Sequence, residues 1–151
     1  MMADSDDQRK GREELGRMAY EAQLLQGQGR ALEQQMGALS EGIAQLGVAI
    51  ESLKSMKAAG SGNALVPIGG GAMVRAKLEN GGKVLLDIGA GVVAEKDIGE
   101  AVVILEKRLS ETEKARGGAE REIATLSRRL QAIDHDARAL MHKLKLTPGE
   151  G

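Results

Sequence analysis

The stretch "KVLLDIGAGVVAEKDIGE", residues 83 to 100, decides the fold. It opens as a strand and runs into Gly89-Ala90-Gly91-Val92-Val93-Ala94, a match to the G-x-G-x-x-A loop that cradles phosphates or a methyl donor. Such a loop needs a helix starting directly after its glycines, so that backbone N–H groups and the helix dipole meet the phosphate. Here Val92 and Val93 continue as strand. The first helix signal comes only at Asp97, an N-cap with Glu100 three residues on, as in a capping box. The stretch therefore reads strand, turn, strand, helix. A second glycine run, Gly69-Gly70-Gly71, lies twenty residues upstream and is not followed by G-K-[ST]. No alternation of strand and helix follows either run. Gly69, Gly70, Gly71, Gly81, Gly89 and Gly91 are read as turn glycines supplying positive φ, and no cofactor is expected.

Upstream, the segment 58 to 97 reads as β. "ALVPI" and "AMVRAKL" flank the triple glycine, and "KVLLDI" follows "ENGG", where Asn80-Gly81 is a strong hairpin signal. Val74, Ala76 and Leu78 fall on one side, with Met73, Arg75 and Lys77 on the other. Pro67 cannot donate to a ladder, which places the first strand at an edge. Four short strands without aromatic residues make a marginal sheet whose open edges invite pairing. Closure with strands of other subunits removes those edges. Val66, Ile68, Val74, Leu78, Val84, Leu86, Ile88 and Val92 are the residues expected to carry oligomerisation.

On either side of the β segment, apolar residues step by three and four. The first seam is Leu15, Met18, Ala22, Leu25, Gly29, Leu32, Met36, Leu39, Ile43, Leu46, Ile50 and Leu53. The second runs Ile98, Val102, Leu105, Leu109, Thr112, Arg116, Ala119, Ile123, Leu126, Leu130, Ile133, Ala137, Leu140 and Leu144. Seams this long predict a coiled coil, with arms of roughly 60–70 Å. A compact bundle of two amphipathic helices is the alternative, but the chain lacks the aromatics such a core would use. In an antiparallel pair the numbers of facing residues total a constant. A total of 155 sets every seam residue of the first helix against one of the second, Leu53 on Val102 and Leu15 on Leu140 among them. Registers seven away also match the steps, and 155 is chosen because it leaves residues 57 to 98 closing one end symmetrically. Gly29 then faces Leu126 and Ala22 faces Ile133, so the coil thins away from the β segment. Off-seam Val103 and Ile104 are expected to pack on the β segment. The resulting division is a flexible tail 1–12, a first helix 13–58, the assembly segment 64–96, a second helix 97–145 and a tail 146–151.

Composition narrows function. The 151 residues hold no Phe, no Trp, no Cys and a single Tyr, with a net charge of −1. The even charge balance gives no electrostatic case for nucleic acid or an acidic membrane. Absent cysteine excludes disulfides and thiolate metal sites and fits a reducing cytoplasm. No apolar run approaches the ~18 residues of a membrane span. His135 and His142 are seven apart, about 10 Å along a helix, too far for one metal. A two-helix coil offers no concave interior for a catalytic group. No enzyme, metal site or catalytic residue is expected.

Long helix, "LVPIGGGAMVRAKL" (65–78), "KVLLDIGAGVVAEKDIGEAVVILEKR" (83–108), long helix: this order resembles the alpha class of archaeal prefoldin, also called GimC. The specific part covers about residues 64 to 108, and the pattern extends over nearly the whole chain. The resemblance implies an α+β fold, a long antiparallel two-helix coiled coil with a central pair of hairpins that join an oligomeric β-barrel. It implies a hexamer of two alpha and four beta subunits. It further implies an ATP-independent chaperone that holds non-native client proteins at the coil tips and passes them to a group II chaperonin. Near those tips Tyr20, Leu24, Met141 and Leu146 lie off the seam, and Leu144 faces only Gly11. These five are the candidate client contacts, methionine being flexible and polarizable. A homo-oligomeric or filament-forming relative of the family is the alternative. The glycine-rich first helix and the tail "MMADSDDQRKG" depart from the family pattern.

Overall fold

The computed structural model describes residues 2–60, 62–79 and 82–144. The order of elements is α1 (Met2–Ala59), β1 (Gly62–Gly69), β2 (Ala72–Leu78), β3 (Lys83–Gly89), β4 (Val92–Asp97) and α2 (Ile98–Lys143). The chain divides into two compact units, Leu39–Lys114 and Met1–Ala38 with Ala115–Gly151.

Leu39–Lys114 holds the four strands and the adjoining helix ends. The strands form two separate antiparallel hairpins, β1 with β2 and β3 with β4. Val66 pairs with Val74 in the first, and Leu86 with Ala94 in the second. Both turns have the same construction. Gly69, Gly70 and Gly71 have φ of 111°, 58° and 78°; Gly89, Ala90 and Gly91 have 118°, 52° and 76°. Two central residues with positive φ match the right-handed twist of a hairpin, which explains the glycines. The Gly89 N–H also donates to Asp87 Oδ1 at 2.9 Å. The hairpin expected at Asn80-Gly81 does not form, because β2 and β3 belong to different sheets. Asn80 and Gly81 themselves lie outside the described residues. Between the two hairpins the Gly82 N–H donates to the Glu79 carbonyl at 3.1 Å. In a two-stranded sheet every strand is an edge, so Pro67 sits opposite Met73 with no further neighbour on its open side.

The core of this unit is Ile50, Leu53, Ala101 and Leu105, joined by half-buried Val84 and Leu86 of β3 and by Met56 and Val102. Thus the helix seams and one face of the second hairpin share one apolar cluster. The Arg108 guanidinium donates to the Asp87 carbonyl and ties that hairpin to α2. The hairpin covers the flank of Ala101 and Arg108. Ile104 shares that flank and is half-buried, whereas Val103 points away and is 65% exposed, against the expectation that both would pack on the strands. Ala101 is fully buried. Replacing it with leucine should destabilise the chain by about 1–3 kcal/mol through overpacking, measured by thermal unfolding. A neutral result would mean the helices can part there without cost.

Asp97 directly precedes α2, the N-cap position. Its carboxylate lies 3.9 Å from Lys83 Nζ, its cross-strand partner, and makes no hydrogen bond to the Glu100 N–H among the described residues. The expected capping box is therefore not closed. Asp97 is still the last strand residue, and its side chain stands on the sheet.

In the other unit, the halves of α1 and α2 pair along the predicted seams. Leu15, Met18, Ala22, Leu25, Gly29, Leu32 and Met36 are all buried or half-buried, as are their counterparts from Ala119 to Leu144. α1 begins at Met2, so residues 2–12 are helix and not the tail expected at 1–12. The reason lies in the charges. Asp6 pairs with Arg9 at 2.9 Å and with Lys10 at 3.6 Å, and Arg9 with Glu13 at 3.5 Å, each at helical spacing. The seam also runs one step further back, to buried Gly11. A Cβ built on Gly11 would collide with Leu144 Cδ1. The register totalling 155 is therefore visible in a direct contact. The tail expected at 146–151 lies outside the described residues.

Candidate functional surfaces

Two surfaces stand out, one in each unit. In Leu39–Lys114, the hairpins leave large apolar side chains in solvent. On the face expected to assemble, Val66, Ile68, Val74, Ile88 and Val92 are exposed. Leu78 is half-buried. Val84 and Leu86 are committed to the chain's own core, where they pack on the helix base. The opposite face was missed by the sequence reading. Leu65, Met73, Leu85 and Val93 are all exposed there, Leu85 at 73%. The period-two pattern held the signal, because Leu65 and Met73 alternate with Val66 and Val74 across one pair. Apolar residues on both faces mark strands meant to be covered on both sides.

In the other unit the helices leave an open groove of about 1000 Å3, a concavity the two-helix reading did not expect. Its floor is the seam itself: Leu15, Met18, Leu130, Ile133 and Ala137. It exists because the residues beside the seam are small, Gly16 and Ala19 with seam residue Ala22 on α1 and Ser127 on α2. Met141 lines this groove and is half-buried. Tyr20 and Leu24 are 65% and 51% exposed and do not line it. They stand four apart, hence on one outward face of α1. Leu144, expected to lack a partner, instead rests half-buried against the Gly11 backbone. A glycine supplies no side chain but permits the close approach that covers the leucine. Leu146 lies outside the described residues.

Across the same unit, Arg129 grips Glu21 with two parallel hydrogen bonds, Nε to Oε1 at 2.8 Å and a terminal nitrogen to Oε2 at 3.0 Å. This fork is the strong form of a carboxylate–guanidinium pair. The hydrogen bond from Arg129 holds the Glu21 carboxyl below its ordinary value of 4.5. A carboxyl with a lowered native pKa contributes stability that is full above its unfolded value and is lost as pH falls through the native one. The Tm difference between wild type and Glu21→Gln should accordingly stay constant above about pH 5 and shrink only below it. A difference that changed between pH 6 and 8 would assign the effect to another group. Among the described residues, neither Thr112 nor Arg116 of the seam makes a hydrogen bond or ion pair across the coil. Thr112 Oγ1 donates to the Arg108 carbonyl at 2.7 Å, and Arg116 pairs with Glu120 of its own helix at 3.8 Å.

Among the described residues no group of three or more His, Cys, Asp or Glu is placed to hold a metal. His135 and His142 are both exposed. No described helix is long and apolar enough to cross a membrane.

Comparison with known proteins agrees with this architecture. The family profile "Prefoldin subunit" matches residues 25–143. Prefoldin subunit alpha of Pyrococcus horikoshii is 30% identical over 136 residues, covering 89% of this chain and 92% of that one. Prefoldin subunit alpha of Methanosarcina barkeri is 32% identical over 132 residues, covering 85% and 92%. Among solved structures, a chain of filamentous PFD from Methanocaldococcus jannaschii superposes with a TM-score of 0.65 at 29% identity, covering 79% of this chain and 99% of that one.

Proposed function

This chain belongs to the prefoldin family, and on that footing we propose that it is an ATP-independent holdase subunit. It captures non-native proteins at the free end of its helix pair and delivers them to a group II chaperonin. Its hairpins assemble with beta-class subunits, two alpha with four beta, in the cytoplasm. The observation that carries this reading is the pairing of two apolar surfaces of different kinds. The hairpins offer apolar faces and open edges, which suit permanent assembly. The helix ends offer a wide groove and two outward apolar residues, Tyr20 and Leu24, which suit weak and changing contacts. Several such arms on one platform would gain avidity without a tight single contact.

Truncation separates the roles. Removing residues 1–21 together with 136–151 should abolish suppression of client aggregation while leaving complex size unchanged in native mass spectrometry. Intact suppression by the truncated complex would move the client site to the arm midsections or the hairpins.

A second reading is favoured by the likeness to the filamentous chain. A homo-oligomer or filament built through the same hairpins would need no beta subunits. Native mass spectrometry of the chain alone, and with a beta-class partner, distinguishes the two by whether large species form without the partner.

A further inference from the structure

The free end of the helix pair is not symmetric about its seam. The groove is bounded on α1 by Arg12, Ala19 and Gln26, and on α2 by Ser127, Asp134 and Met141. Each set steps by seven, so each forms one straight row along its helix. The two rows flank the seam on a single side. On the other side, one residue beyond each of these rows' neighbours in the heptad, stands the Glu21–Arg129 fork. Among the described residues of this unit, no other side-chain hydrogen bond joins α1 to α2. One flank is therefore clasped and the other is lined by small or flexible side chains.

From this we infer that the arm end opens on one side only. The row of Ala19, Gln26, Ser127 and Met141 is the mouth, and the Glu21–Arg129 fork is the clasp that holds the helices together while the mouth widens. The inference rests on the holdase reading and adds to it the side of entry and the chemistry of what enters. The mouth takes an extended apolar segment of an unfolded chain. Its floor is aliphatic, with Met18 and Met141 able to adapt their shape. Gln26, Gln131 and Ser127 on its rim offer donors and acceptors for the backbone groups of such a segment, which otherwise lose hydrogen bonds on leaving water. The rim carries one cation, Arg12, and one anion, Asp134, the latter already paired with Arg138 of its own helix at 3.0 Å, so no cluster of one sign lines it. A smaller groove of about 720 Å3 does lie on the clasped flank further along, beside Gln28. Its rim bears Arg121 and Glu122, and its floor narrows to Leu32 and Leu126. It serves as the internal control.

The experiment uses the full chain in its assembled complex. A photo-crosslinking amino acid is placed singly at Gln26, at Gln131 or at Gln28. The probe client is reduced, carboxymethylated α-lactalbumin, a permanently unfolded chain. Crosslinking should be several-fold stronger at Gln26 and Gln131 than at Gln28. The sequence has no cysteine, so pairs of introduced cysteines can be bridged by a short bismaleimide without side products. A bridge between Ala19→Cys and Met141→Cys should close the mouth and remove the crosslink at Gln26. A bridge between Glu21→Cys and Arg129→Cys replaces the clasp and should leave that crosslink in place. The unbridged cysteine variants, compared by circular dichroism and complex size, control for folding. Equal crosslinking at Gln26 and Gln28, or equal loss with either bridge, would overturn the one-sided mouth while leaving capture at the arm ends standing. Crosslinking at none of the three positions by a complex that still suppresses aggregation would overturn both.

Discussion

Deleting residues 64–96 and joining the helices through a short turn should give a chain that remains helical and no longer enters any complex. The deletion removes every exposed apolar residue of the hairpins, from Leu65 to Val93, and all the open strand edges. A two-stranded hairpin is marginal by itself in water. The second hairpin gains support from the helix base through Val84, Leu86 and the Arg108–Asp87 hydrogen bond. The first has no comparable anchor in the core cluster among the described residues. Its stability should therefore come from neighbouring subunits. This makes two milder variants informative. Val84→Ser should reduce Tm, because that side chain serves the chain's own core. Val66→Ser with Val74→Ser should reduce assembly and leave the helical signal intact. The readouts are native mass spectrometry for size and circular dichroism for helix content. Normal assembly of the deletion variant with a beta-class partner would show that the helices carry the interface.

The helix pair was legible because its signal is redundant. Each seam repeats one simple rule over many turns, so isolated lapses at Ala22, Gly29, Thr112 and Arg116 do not hide it. The repeat alone leaves registers seven residues away equally possible; the total of 155 is preferred because it lets the β segment close one end symmetrically, and the Gly11–Leu144 contact lies where that register puts it. The hairpins were less legible. Asn80-Gly81 is a strong local turn signal, yet the Gly70-Gly71 and Ala90-Gly91 pairs close the hairpins. Local sequence says where a chain can turn and not which strands then meet. Ala101 and Arg108 were passed over for a related reason. They lie beside the seam, and only the hairpin folded back on α2 makes that flank interior. The groove was missed because a count of seam residues registers their presence and not the small size of the residues next to them. The helical start at Met2 was missed because its support is a set of ion pairs between charged residues, with no apolar step to announce it.

Replacing Gly16, Gly27, Gly37 and Gly42 together by alanine should stabilise the chain by about 2–4 kcal/mol, near 0.5–1 for each position. All four lie inside α1 with ordinary helical φ. A Cβ at any of them meets nothing within 4 Å. The gain arises mainly in the unfolded chain, where alanine has fewer conformations to lose. For a chain of this size it corresponds to a rise in Tm of roughly 5–15 °C, compared at equal protein concentration because assembly also shifts Tm. Gly11 is the contrasting position. There the added methyl collides with the end of the Leu144 side chain, so Gly11→Ala must displace it and should gain less than the others or lose. The contrast tests the contact itself, since helix propensity alone predicts the same gain at all five sites. A chain whose α1 is so readily improved has kept a weak helix where a strong one was available. If opening at the arm end is part of holding clients, the fourfold variant should also suppress aggregation less well despite its higher Tm. Greater stability with undiminished holding would mean that the glycines serve no opening of the coil.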